Sequence, residues 1–278
     1  MTIRDRLKPL ALLTPAIALE VCLFLIPLVM LAVVSLTSGD SFFFTPEWTT
    51  SNYFKVFTTY SFDFQITFTL IISAAFLDLI LGFPFAYIMT RKIRRFTDVF
   101  RAIMLVPLFG ELYIAYGFYY LFLPGGPLSF IFSALGIPVF KALYSIQTAM
   151  IALAIYTFPF AVYNIGISLQ GIDRSIEESA RCLGAGSLET FFRVTLPMSL
   201  PGILGAWLVS IGWGLGAFAI PVLMGGAMVA QRMLSVEMYS IALLQLDLGM
   251  ASAIGVILAL VAVIIFYFSL RASRGALI

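Results

Sequence analysis

The chain has 278 residues, 62% hydrophobic and 11% charged, with a net charge of +2. A soluble domain carries about 25% charged residues, so this sequence cannot cover itself with a polar surface and reads as an integral membrane protein that binds lipid and no nucleic acid. There is no histidine, and the two cysteines, Cys22 and Cys182, are too few for a disulfide framework or a metal-ligand spacing.

A helix needs about 20 apolar residues to cross a hydrocarbon core of about 30 Å. Taken in chain order, the stretches at about 11–36, 66–89, 103–123, 146–170, 200–223 and 250–270 satisfy this, which predicts six transmembrane helices in a single membrane domain over 1–278. The first follows a basic start (Arg4, Arg6, Lys8). Its apolar run is longer than the 7–15 residues of a signal peptide, so it is expected to be a retained helix. The segment 128–140, "LSFIFSALGIPVF", is apolar but broken by Gly136 and Pro138, and reads as a re-entrant or interfacial helix.

With six spans, thirteen Lys and Arg fall on one side: Arg4, Arg6, Lys8, Arg91, Lys92, Arg94, Arg95, Arg101, Arg174, Arg181, Arg193, Arg271 and Arg274. Only Lys55, Lys141 and Arg232 fall on the other. Positive charge marks the cytoplasmic side, so both termini are expected there. The exported loops, about 37–65, 124–145 and 224–249, are too short to form a separate domain.

Polar residues inside spans are costly and are candidates for function. Glu20, Asp78, Glu111 and Asn164 qualify. They either line a pathway and meet a cationic solute, or bond neighbouring helices; Glu20 also sits where it could reach an interface. Gly212 and Gly216 stand four apart in the fifth stretch, a spacing that lets helices pack closely, and Pro221 is placed to end or kink that span.

Between the fourth and fifth spans lies "EESARCLGAGSLETFFRVTLP", Glu177 to Pro197, within a loop at 174–197. Its pattern predicts a short helix from Ser175 to about Leu183 with Ile176, Ala180 and Leu183 along one face. A turn at Gly184 and Gly186 follows, then a second helix from Leu188 to Val194 that Pro197 stops. The partly apolar surface either folds back on the membrane domain or docks another protein.

Glu178-Ser179-Ala180, three residues, Gly184, nine residues, Val194, Thr195 and Leu196-Pro197 resemble the cytoplasmic loop shared by permeases of binding-protein-dependent ATP-binding cassette (ABC) importers. Ser179 and Val194 depart from the usual alanine and isoleucine. "GFPFAY" (82–87), "PGILGA" (201–206) and "GAFAIPVLMGG" (216–226) are similar to segments of the spermidine/putrescine subgroup.

The resemblance implies an all-α, six-span type I importer permease in a bacterial inner membrane. Its coupling helix would enter a groove on an ATPase subunit. Glu178 would pair with or cap groups at that contact, Ala180 and Gly184 would permit close packing, Phe191 and Phe192 would fill the apolar part of the groove, and Ser179 and Pro197 would belong to the same coupling segment. It further implies two cytoplasmic ATPases that bind ATP and Mg, a second and usually different permease, and an extracytoplasmic solute-binding protein. The chain itself would be no enzyme and hold no cofactor, since it lacks a GxxxxGK[ST] phosphate loop. Polyamines are the favoured solute by subgroup, with opines, amino-acid derivatives, phosphonates and ferric iron as other solutes of related permeases. A stand-alone secondary transporter or channel is the alternative, which inverted repeats or a membrane proton relay would support.

Overall fold

The computed structural model describes residues 3–38, 47–91, 102, 110–136, 144–226 and 232–274. Among these residues no strand forms, and Thr37 and Trp48 make an isolated antiparallel bridge. The helices are α1 (Ile3–Val34), α2 (Ser51–Thr59), α3 (Ser61–Arg91), α4 (Glu111–Phe122), α5 (Pro127–Ala134), α6 (Ile146–Gly171), α7 (Arg174–Cys182), α8 (Ser187–Leu215), α9 (Ala219–Met224), α10 (Leu234–Leu243) and α11 (Leu248–Arg274).

Four of these are long and apolar enough to cross a membrane: α3, α6, α8 and the Leu248–Arg271 part of α11. They answer the second, fourth, fifth and sixth expected spans. For the first, α1 is helical throughout, with Ala18–Val34 its apolar part among the described side chains. For the third, 103–109 lie outside the described residues, as do Lys92, Arg94, Arg95, Arg101 and Lys141; α4, of 12 residues, is its described part. Of the apolar segment after it, 137–140 lie outside the described residues; the described part forms the eight-residue α5, followed by Gly136 at φ +68°.

The chain divides into two compact units. In the first, residues 1–61 with 238–257, the Asn52 amide clasps the turn after α1. It donates to the carbonyl oxygens of Ser35 (3.0 Å) and Thr37 (2.8 Å), while Ser35 and Tyr53 share a hydroxyl bond of 2.6 Å. A Cβ on Gly249 would run into the Thr37 carbonyl oxygen, so only glycine lets the chain pass there.

In the second unit, residues 62–237 with 258–278, the core joins α3, α6 and α8. Phe83, Ala86, Ala161, Val162, Ile165, Leu169 and Ala206 are buried together. Lipid is as apolar as leucine, so close van der Waals fit rather than escape from water holds such helices. Small residues supply that fit. A Cβ on Gly202 would overlap Ser168, and one on Gly214 would come within 2.8 Å of Ile71. Gly212 is equally tight, 2.8 Å from the Phe266 ring, whereas Gly216 faces only the Trp213 carbonyl oxygen at 3.7 Å.

Two sequence expectations need correction. Pro197 does not stop a short second helix; α8 runs from Ser187 through Pro197 and Pro201 to Leu215. A π-helical turn at Phe191–Thr195 precedes the proline, with the Leu196 amide reaching back to the Phe191 carbonyl. A proline ring collides with the carbonyl four residues earlier in a regular helix, and the wider turn lets the helix continue past it.

The span expected at 200–223 also ends early. It breaks at Gly216–Phe218, where the amides of Gly216 and Ala217 fold back on Trp213 and Gly214, and α9 begins afresh. Pro221 sits in the first turn of α9, where its missing N–H costs nothing, so the break lies before it.

The fit at Gly202 yields a direct test. Gly202→Ala should destabilise the protein by about 1–3 kcal/mol, the usual cost of overpacking, visible as a lower melting temperature in detergent. Gly171→Ala, where a Cβ meets nothing within 4 Å, should melt with the wild type.

Candidate functional site

The loop singled out by its motif folds as an elbow. Asp173 caps α7, its Oδ1 accepting the Ser175 amide at 2.9 Å, and that bond holds its carboxyl below the usual range. At the other end of α7 the Ala185 amide reaches Ala180 O (3.1 Å) and the Gly184 amide reaches Arg181 O (3.0 Å). This is the paired bonding of a Schellman ending, which needs a left-handed residue at its centre. Gly184 supplies it at φ +95°. The motif spacing from Ala180 to Gly184 is therefore the spacing of a helix stop.

The elbow carries an exposed apolar surface. Leu183 is 91% exposed, Leu188 75% and Phe192 61%. Glu178 and Ser179 are exposed beside them and Ala180 is half-buried. Arg193 pairs with Glu189 at 2.7 Å on the same surface. Of the helix face expected from the sequence, Ile176 and Leu183 look outward.

The inward side is built from residues that the motif does not name. Glu177 is buried, accepting from Thr195 Oγ1 (3.1 Å) and pairing with Arg91 at 3.1 Å. Arg91 also donates to the Ile172 carbonyl (3.0 Å), and Arg174 donates to the Thr90 carbonyl (3.0 Å). Phe191, expected on the docking surface, turns the other way. Its ring meets Phe83 at 5.7 Å and Tyr87 at 5.3 Å, both edge-to-face. Pro197 lies exposed within α8. No spacing rule connects Arg91 with Glu177. The available hint was that Glu177 and Ala180, three apart, share a helix face.

The intramembrane candidates do not converge. Glu20 lies exposed on α1. Asp78, 1% exposed, accepts from Thr157 Oγ1 at 2.6 Å and so ties α3 to α6. Asn164, half-buried, donates to Phe160 O of its own helix.

Glu111 receives the amides of Phe218 (2.9 and 3.0 Å) and Ile220 (2.7 Å). It caps the first turn of α9 from another helix and satisfies donors that a helix start leaves open. Its geometry and that of Asp78 are those of bonds between elements, the second of the two readings open in the sequence.

At the far end of α3, Asp63 is buried and pairs with Arg232 at 3.3 Å, and Arg232 lies over the Phe62 ring at 5.5 Å. The Leu234 amide donates to Thr67 Oγ1 at 3.0 Å. Burial, and then the neighbouring Asp63, push the Glu237 carboxyl above its usual range.

The capping role of Glu111 can be measured. Glu111→Leu leaves the amides of Phe218 and Ile220 without an acceptor, a loss of about 1–3 kcal/mol for each buried donor, and should lower the melting temperature clearly. Glu111→Gln keeps one oxygen acceptor and should melt close to the wild type.

Residues 79–275 match the family described as binding-protein-dependent transport system inner membrane component. Among relatives, the spermidine/putrescine transport system permease protein PotB of Escherichia coli (strain K12) is 27% identical over 209 residues, 73% of this chain and 76% of that one. The molybdenum transport system permease protein ModB of the same strain is 38% identical over 79 residues, 28% of this chain and 34% of that one.

Among solved structures, the bacterial alginate ABC transporter in complex with alginate pentasaccharide-bound periplasmic protein aligns with a TM-score of 0.72 at 19% identity, covering 99% of this chain and 96% of that one. An inward-facing MetNI methionine ABC transporter aligns with a TM-score of 0.55 at 18% identity, covering 76% and 93%. These likenesses carry the fold, that of an ABC importer permease, and the family match spans most of the chain. The protein belongs to the family of binding-protein-dependent transport system inner membrane components.

Proposed function

We propose that this chain is the permease subunit of an ATP-driven importer and moves a small polar solute into the cytoplasm. It lies in a bacterial inner membrane as one membrane domain with both termini cytoplasmic, as the charge split between its loops suggests. The exposed elbow of α7, Gly184 and the start of α8 is the observation that carries this reading: an apolar surface held on a rigid turn, at the point where the family motif falls.

The elbow docks a separate ATPase, which binds ATP and Mg. Leu183, Leu188 and Phe192 supply the apolar contact, Glu178 and Ser179 the polar rim, and Ala180 the close approach. Two such ATPases, a second permease of different sequence and an extracytoplasmic binding protein complete the assembly. ATP binding draws the elbows together and switches the helices between inward- and outward-facing arrangements, a two-state change biased by ligand. A stand-alone transporter would leave the exposed elbow without an occupant.

For the solute we favour a polyamine or a similar cationic amino compound. The likeness to PotB over most of both chains supports it, whereas the likeness to ModB covers a shorter stretch. Asn164, which is bonded only within its own helix among the contacts described, is the intramembrane polar group we place nearest the pathway.

Gly184 provides the test. No Cβ clash exists there, but a non-glycine residue at φ +95° costs on the order of 1–3 kcal/mol of backbone strain, and the elbow would open to relieve it. Gly184→Leu should accumulate in the membrane yet retain at least tenfold less ATPase on co-purification and fail to take up labelled spermidine. Gly186→Ala, at an ordinary φ of −67° with open space around it, should behave as wild type. Normal ATPase retention by Gly184→Leu would reject the docking assignment.

A further inference from the structure

Phe83, Tyr87 and Arg91 stand at four-residue spacing on the last turns of α3, so they share one face of that helix. All three are engaged by the elbow: the two rings by Phe191, and the guanidinium by Glu177, with both side chains of the pair only 9% exposed. Two further bonds, Arg91 to Ile172 O and Arg174 to Thr90 O, fix the main chain on each side of the joint. The apolar surface of the elbow is exposed and its opposite side is riveted to α3.

The helix so gripped is long. At about 1.5 Å per residue, the 31 residues of α3 reach across a bilayer. Its other end is also jointed. Thr67 accepts the Leu234 amide, and Asp63, 3% exposed, holds Arg232. Thus one element is bonded at one end to the elbow and at the other to the segment that runs from Arg232 to Glu237. Packed helices of this kind shift as units rather than bending continuously.

We propose that α3 is the rod that carries the stroke of the elbow through the membrane to residues 232–237. Glu177, Arg91 and Phe191 form its inner joint, and Thr67 and Asp63 its outer joint. This rests on the elbow being the ATPase contact. It assigns these five residues a positioning role that the family motif, whose acid is Glu178, does not contain.

The experiment uses the assembled complex of this chain with its ATPase and partner permease, and needs no solute. A thiol introduced by Glu237→Cys, in a background with Cys22 and Cys182 replaced by Ser, reports on the outer end through its rate of maleimide labelling. Trapping with ATP and vanadate should change that rate at least fivefold. Glu177→Gln, which removes the charge pair of the inner joint, and Thr67→Val, which removes the acceptor of the Leu234 amide at the outer one, should each abolish the change while the ATPase still co-purifies and hydrolyses ATP.

The proposal is overturned if the change persists in either variant, if trapping changes nothing in the parent complex, or if Glu177→Gln sheds the ATPase, which would make the pair a support of the docking surface alone. Should Glu177→Gln not accumulate, Arg91→Lys is read by the same criteria, because the lysine ammonium ends short of the terminal guanidinium nitrogen that meets both Glu177 and the Ile172 carbonyl. A parent chain that retains no ATPase at all would instead reject the permease reading.

Discussion

Hydrocarbon offers no hydrogen bonds, so a polar group carried between apolar helices is costly unless it finds a partner within the protein. That requirement decides where its elements go. Asp78 takes the Thr157 hydroxyl and joins α3 to α6. Glu111 takes two amides where the fifth span breaks off at Gly216–Phe218, and the break is tolerable because those donors are met. Thr67 takes the Leu234 amide in the same way. Each bond uses a polar residue that would be a liability if it faced lipid, and each fixes a pair of elements that apolar contact alone would leave free to slide.

Close packing supplies the rest. Gly202 against Ser168 and Gly214 against Ile71 bring α8 near to α6 and α3, at distances that no side chain would allow. The result is a bundle in which α3, α6 and α8 share a core, with a short elbow between the end of α6 and the start of α8. The elbow has two sides with different chemistry. One leaves leucine and phenylalanine exposed; the other holds an ion pair and an aromatic wedge against α3. A surface of the first kind costs solubility unless something covers it, and a mount of the second kind is what would make the covering partner's movement felt in the membrane.

Much of this was legible in the sequence. The apolar runs located α3, α6, α8 and α11 because their composition leaves no other place for them than the bilayer. The elbow was legible because a left-handed turn needs a glycine and Gly184 stands at motif spacing from Ala180. What failed were the details set by backbone geometry. Pro197 read as a stop, and a π-turn carried the helix past it. The run at 200–223 read as one span, since Gly216 interrupts it without any change in hydrophobicity. The partners of Glu111 are main-chain amides, which no side-chain pattern shows, and Arg91 and Glu177 meet only after α3 and α6 have packed. Phe191 and Phe192 are adjacent and chemically identical, and only the fold decides that one faces inward and the other outward.

The central claim is that the elbow is seated on an ATPase. Cysteine cross-linking in membranes tests it most directly, with Cys22 and Cys182, both exposed, first replaced by serine. A thiol introduced by Leu183→Cys or Leu188→Cys should cross-link to the ATPase subunit through a short bifunctional maleimide, and one introduced by Leu135→Cys, exposed on the turn after α5, should not. Cross-linking from all three positions alike, or from Leu135→Cys alone, would contradict the account.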